Sequence, residues 1–445
     1  MRSEIEERAL RSLWIHESPL SEVVDHDMLR VFDRGEGPWL WDTRGDRYFD
    51  WCSSMWQTPL GHGRSDIPAA ISAQAQRVAT AGPIFFTTEG AIELAERLAA
   101  STPGDLNHVY LTSSGSEATE TAIKLARQYH RMRGDAHRYK IISRYGSYHG
   151  AGTGGQAMSG RRHRDALYYP LMPGAVHVMP PTGESDIDAA EEIRTKIELE
   201  GPETIAAVIG EPVSITEFRI PDSDYWPRVR QICDDYGVLL MADETLTGCC
   251  RSGRMWAIER WSVVPDVMIV AKSLSAGYAP VAAMIVRDHV YEAFGRDVGS
   301  PSVQSYGGHG ASAAGAAAAL GIYTSDRMWE VAERVGLQLL DRIKGSTERD
   351  IVGDVRRFGL WIGIELVNPA TGVSYAQGLR GKYDIAREMT RLLLKSGCAA
   401  ARMSEGIFHI APPYIMSDSD MDFVVETVDT MLSKLETIII NAEAK

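Results

Sequence analysis

The sequence predicts an α/β chain, with a mostly parallel central sheet flanked by helices and a smaller α+β domain after it. Three observations carry that reading. Short runs rich in Val and Ile (HVYLTS, YKIIS, TIAAVIG, GVLLMAD, DVMIVA, PVAAMIV) alternate with amphipathic stretches from His108 to Val286. Runs of this kind suit strands buried on both faces, joined in parallel by helical crossovers. Beyond about Thr324 the texture changes to a long helix, a strand pair in VRRFGLWIGIELV, a helix to Leu394, a strand near Ile407–Ile410 and a final helix. A length of 445 residues also exceeds one small core, so two or three lobes are expected.

The first fifty residues read as a helix followed by GPWLWDTRGDRYFDW, which alternates apolar and polar residues around an Arg44-Gly45-Asp46 turn, a hairpin signal. From about Asp66 to Leu98 the pattern is helical. The hairpin is expected to pack with the last lobe. The expected division is therefore an N-terminal segment, 1–55, joined to a C-terminal small domain, 324–445, around a large α/β domain, 56–323.

A hydrophobic content of 44% and a charged content of 24% are ordinary for a globular protein. The net charge of −14 argues against nucleic acid, whose phosphates demand a basic face. Five cysteines without CxxC spacing fit a reducing cytoplasm better than a disulfide framework, and the adjacent Cys249 and Cys250 lack zinc-ligand spacing. The N-terminal MRSEIEERALRSLW is charged rather than leader-like, and the Gly/Ala-rich Ala311–Tyr323 is too short to span a bilayer. A cytoplasmic protein without membrane partners is expected.

In a parallel α/β sheet, ligands gather at the carboxyl ends of the strands. HVYLTS runs into Ser114-Gly115-Ser116-Glu117, which reads either as a capping box or as a helix N-terminus binding an anion. YKIIS leads to Tyr148-His149-Gly150, where a tyrosine could stack on a flat ring. TIAAVIG ends at Glu211, and GVLLMA ends at Asp243-Glu244. DVMIVA ends at Lys272, where burial of an ammonium is costly and favours the neutral amine, suited to condensing with an aldehyde. Alone, each has an ordinary alternative as a cap, a turn residue or a solvated side chain.

Their order is more specific than any member. SGSEATETAIKLAR, YHG, GEPV, DE…TGCCRSGRMWA, AKSLSAGYAP and GGHG resemble, in sequence, the class III (ω-type, subgroup II) aminotransferases of the aspartate-aminotransferase-like fold type I. The resemblance covers nearly the whole chain. It implies pyridoxal 5'-phosphate held on Lys272 as an internal aldimine, with Asp243 keeping the pyridine nitrogen protonated so that the ring acts as an electron sink. Tyr148 would stack on the ring, Gly115 and Ser116 would bind the phosphate, and Glu211 would join the polar network. Ser305, in QSYGGHG, would reach the phosphate of a neighbouring subunit, which implies a homodimer with active sites at the interface.

On the same resemblance, Trp56 walls the substrate pocket, and Arg402, ahead of Pro412-Pro413, receives the keto acid carboxylate through its guanidinium fork. Leu246 stands where amine–pyruvate members are often apolar. The implied activity is a ping-pong transfer of an amino group from a primary amine or amino acid to a keto acid, pyruvate above others. An aminomutase or a decarboxylating dialkylglycine-type enzyme of the same fold is the alternative, with a non-catalytic binding protein behind it. A nucleotide-binding dehydrogenase is disfavoured, since no strand is followed by GxGxxG. The chain departs from the family pattern at Thr245, at Cys249-Cys250, at VSITEF after Pro212 and at Gly310. Phe85 and Phe86 fall in a segment that lines the partner's pocket in relatives.

Overall fold

The computed structural model describes every residue except 1–2, 17, 19, 26, 162–165, 182–187, 217, 376–384, 401–405 and 444–445. The chain forms two compact units, Met1–Arg64 with Arg334–Lys445, and Ser65–Glu333.

The first unit opens with the meander β1 (Phe32–Glu36), β2 (Trp39–Asp42) and β3 (Arg47–Asp50), paired antiparallel. Asp42 makes the β2–β3 turn, its Oδ1 accepting from the amides of Arg44 (2.9 Å) and Asp46 (3.0 Å). Gly45 there has φ +89°, a conformation that suits glycine.

In the second unit, β4 (Leu106–Thr112), β5 (Lys140–Arg144), β6 (Ala175–Val178), β7 (Ile205–Gly210), β8 (Leu239–Asp243), β9 (Val267–Val270) and β10 (Ala282–Arg287) form one sheet in the order β4-β10-β9-β8-β7-β5-β6. The five strands from β9 to β6 are parallel, and β10 runs antiparallel to both β9 and β4. Every residue of β7, β8 and β9 is buried, which is why they read as unbroken apolar runs. Small residues of the helix Gly115–Met132, Ala118, Ala122 and Ala126, pack with Ile209, Met241, Ile269 and Met284 in the main core.

The chain then returns to the first unit. There β11 (Val352–Arg357), β12 (Ile362–Leu366) and β14 (Ile407–Ile410) form an antiparallel sheet, while β13 (Cys398–Ala399) pairs in parallel with β3. Trp51 stacks on Phe408 (5.6 Å) and Trp39 meets Phe423 edge-on (5.1 Å), so the two ends of the chain share one aromatic core. No helix among the described residues is long and apolar enough to cross a membrane.

Candidate active site

The helix Gly115–Met132 begins where β4 ends. Ser114 caps it, its Oγ accepting from the Glu117 amide (3.3 Å), and the Glu117 carboxylate reaches back to the Ser113 amide (2.9 Å). Ser114 thus caps the helix, but the Glu117 arm reaches Ser113 rather than Ser114, so the reciprocal capping box is not closed. The first-turn amides of Gly115 and Ser116 have no intrahelical acceptor, as at any helix start, and give an anion a docking point.

Gly115 also abuts the next two strand ends. A Cβ added there would lie 3.1 Å from Thr245 Cγ2 and 3.3 Å from Ala271 Cβ, the residues flanking the Asp243 and Lys272 segments. Ser116 Oγ accepts from the Ala151 amide (3.0 Å), which ties the helix start to the loop carrying Tyr148, His149 and Gly150. Gly150, at φ +120°, lets that loop approach: a Cβ would come within 3.0 Å of the Ser116 backbone.

Asp243 ends β8 and is 3% exposed. Its Oδ2 faces His149 Nδ1 at 2.9 Å and its Oδ1 accepts from the Thr245 amide at 3.1 Å. Burial alone would raise this carboxyl, but the bonds from His149 and Thr245 outweigh it and hold Asp243 below the usual range. His149 is itself buried, its amide donating to Ser159 Oγ (3.0 Å), and its Nε2 finds no hydrogen-bond partner among the described residues.

One strand over, Lys272 follows β9 at φ +48°, a left-handed conformation that a lysine adopts only under constraint. Desolvation pushes the Lys272 ammonium below the ordinary lysine value, Asp243 and Glu211 pull it back up, and Arg161 pushes it down again. The net direction favours a neutral amine. Glu211, after β7, is 5% exposed, and its Oε2 has no hydrogen-bond partner among the described residues.

Tyr148 is exposed, with the Arg161 guanidinium carbon 4.9 Å from its ring centroid. Ser305 lies in an exposed turn before the helix Gly310–Ser325, and among the described residues no hydrogen bond joins it to the other candidates. Arg402 lies outside the described residues.

Trp56 belongs to the first unit and is built differently. Ser53, Ser54, Met55 and Trp56 all have positive φ (46°, 48°, 66° and 60°), forming one left-handed turn. The buried Asp50 holds it, accepting from the Ser54 amide (2.6 Å), Ser54 Oγ (3.0 Å) and Thr58 Oγ1 (2.8 Å), with His62 Nε2 at 2.8 Å. Trp56 then meets Trp361 edge-on at 5.7 Å.

The second unit thus brings together a helix start, a loop tyrosine, a buried ionised carboxylate and a lysine biased toward its free base. That donor set fits pyridoxal phosphate: amides for the phosphate, Asp243 for a protonated ring nitrogen, Tyr148 for a ring face and Lys272 for the aldehyde. Sequence reasoning quoted His149 only as part of YHG. Its pairing with Asp243 links residues 94 apart in the chain and carries no local signal. Arg161 was not singled out at all.

The chain matches the family Aminotransferase class-III over residues 20–432. It is 36% identical to a probable aminotransferase of Mycobacterium tuberculosis, over 96% of this chain and 93% of that one. It is 31% identical to a taurine–pyruvate aminotransferase of Rhodobacter capsulatus, over 91% of this chain and 92% of that one. Among solved structures, an (S)-enantioselective ω-transaminase from Thermomicrobium roseum superposes with TM-score 0.90 at 33% identity, over 97% of this chain and 98% of that one. An amine transaminase from an uncultivated Pseudomonas species, in its pyridoxal-phosphate-bound form, superposes with TM-score 0.85 at 29% identity, over 95% and 98%. The chain belongs to the class-III aminotransferases, pyridoxal-phosphate-dependent enzymes of fold type I.

Proposed function

We propose that the enzyme works by a ping-pong cycle, taking an amino group from a primary amine or amino acid and delivering it to a keto acid, pyruvate. The observation that carries this reading is the pairing of strand ends: Asp243 kept ionised at the end of β8, and Lys272 biased toward its neutral form at the end of the adjacent parallel β9. The cofactor, when bound, supplies an aldehyde that condenses with amines and a ring that withdraws electrons.

The remaining work falls to the chain. Lys272 Nζ would be the group that holds the cofactor's aldehyde, and as a free amine it would move the proton at the substrate carbon. Asp243, oriented by His149, holds a proton on the ring nitrogen. The amides of Gly115 and Ser116 would hold the phosphate, and Ser305 of a second copy would add to that site. Tyr148 packs on the ring, Glu211 completes the polar surround, Trp56 walls the pocket, and Arg402 takes the keto acid carboxylate. Exposed apolar side chains at Ile84, Phe85 and Phe86, with Phe85 98% exposed, support a homodimer that covers them. Five free, buried thiols suit a cytoplasmic location. Pyruvate is the expected acceptor because the taurine-using relative is named for it.

The test is an absorption spectrum of the loaded protein mixed with a panel of amines and no acceptor. The cofactor band is expected to shift with at least one amine and to return on adding pyruvate. A band that returns only with 2-oxoglutarate would correct the acceptor, and a band that no amine shifts would remove transamination.

A further inference from the structure

We propose that Tyr323 is a positioning residue for Lys272, its hydroxyl clamping the peptide that follows the lysine so that Nζ is presented to the cofactor's aldehyde. The inference rests on the reading of Lys272 as the cofactor-holding lysine and deepens it.

Lys272 opens a short turn, Lys272–Ser275, directly after the buried strand β9. Lys272 (φ +48°) and Ala276 (φ +51°) bracket it on left-handed backbone, and neither is glycine. Such backbone persists only where its surroundings over-determine it. Within the segment, the Leu274 amide donates to Ala271 O (3.1 Å) and the Ala276 amide donates to Ser273 O (2.9 Å). Both bonds are local to the turn, so neither fixes it against anything outside.

Tyr323 supplies the outside point. Its hydroxyl donates to the Ser273 carbonyl at 2.6 Å, and its side chain is fully buried. The helix that carries it, Gly310–Ser325, is itself closely held. Every residue from Gly310 to Ala319 is Gly, Ala or Ser. A Cβ added to Gly310 would lie 2.5 Å from Thr88 Oγ1, and one added to Gly315 would lie 2.6 Å from Ile71 Cγ1, so the helix has little room to shift. The Ser273 carbonyl thus accepts one bond from its own turn and one from a fixed helix. A buried tyrosine needs a partner for its hydroxyl wherever it lies. The choice of the carbonyl beside Lys272 is what gives this one a part in the chemistry, since a misplacement of about 1 Å can slow a reacting group by about a hundredfold.

The test compares wild type with Tyr323→Phe, which keeps the buried ring and removes the donor. Ser275→Ala is the comparator. Ser275 Oγ donates to the carbonyl of Ala279 at 2.6 Å, an equally short bond that leaves the Ser273 carbonyl untouched. Full-length protein stripped of cofactor is mixed with pyridoxal phosphate, and absorbance is followed. The concentration-dependent phase reads docking. The later, concentration-independent phase reads the step in which Nζ bonds to the aldehyde carbon and water leaves. Tyr323→Phe is expected to slow the second phase by about tenfold and leave the first within about twofold. Its kcat with taurine and pyruvate should fall by a similar factor at unchanged KM. Ser275→Ala should leave both phases and kcat within about twofold at a comparable loss of thermal stability. An unchanged second phase in Tyr323→Phe, or equal slowing in both variants, would overturn the inference and leave transamination standing. A wild type that shows both phases but converts neither taurine nor putrescine would remove the transamination reading, and the uptake phases would still decide the role of Tyr323. A wild type without a second phase would remove both.

Discussion

The floor at Lys272 and the turn at Trp56 place a chemistry-bearing residue on left-handed backbone by opposite means. At the floor one residue is strained, φ +48° for Lys272, and it sits on the end of a fully buried strand. At Trp56 four consecutive residues are left-handed, and none is glycine. With a cost of roughly 1–2 kcal/mol for each such residue, the second device stores several times the strain of the first. Its restraint is also narrower. The floor is held by strand register and by the packing of an entire sheet. The turn is held by one carboxylate, Asp50, which is 1% exposed and takes bonds from Ser54 and Thr58 with His62 alongside. Topology delivers Lys272 and Asp243, whereas a local hydrogen-bond cluster delivers Trp56. Substitutions should therefore act on the floor as chemistry and on the turn as stability.

The sharpest test of that division is Lys272→Ala, which should cut turnover by about a thousandfold or more while thermal unfolding stays near wild type. A comparable loss of stability would erase the distinction. Asp243→Asn should follow, slowing turnover by roughly several hundredfold with cofactor still bound, as loss of a preorganised charge predicts. An unchanged rate would deny Asp243 its electrostatic role.

Glu244 gives the floor a pH signature. It is 1% exposed, and burial raises it to about 7 from the usual 4.5, with Thr247 and the Ile258 amide as its hydrogen-bond partners. A folded-state pKa above the unfolded one gives stability that is present at low pH and lost as pH rises through the folded value. Stability should thus fall by about 3 kcal/mol from Glu244 alone between pH 4.5 and 7. Denaturant titration of Glu244→Gln should show a flatter slope over that window, and an identical slope would contradict the assignment.

At the turn, Asp50→Ala should destabilise the protein by about 2–3 kcal/mol, since it strands buried donors and releases the strain they restrain. Ser54→Gly should move stability by less than about 1 kcal/mol, because glycine accepts φ +48° and offsets the lost bond to Asp50. A large loss in Ser54→Gly with none in Asp50→Ala would reverse the account of what holds the turn.

The same contrast explains what the sequence revealed. Strands β7, β8 and β9 are buried along their whole length, so their apolar runs and the polar residues that end them stood out. Glu211, Asp243 and Lys272 were legible for that reason. The antiparallel placement of β10 beside β4 was not, because pairing direction leaves no mark on a buried apolar run. His149 and Tyr323 were missed as functional residues because their partners lie far along the chain, at Asp243 and Ser273. SSMW gave no sign of a left-handed turn, since it contains none of the glycine that normally announces one. Trp56 was found by resemblance alone.

The most direct test of the central claim is chemical trapping. Loaded protein would be reduced with borohydride, digested and searched by mass for a phosphopyridoxyl group. The account predicts that group on the peptide carrying Lys272, and its absence from Lys272→Ala. A label on another lysine, or no label from protein that has taken up pyridoxal phosphate, would contradict it.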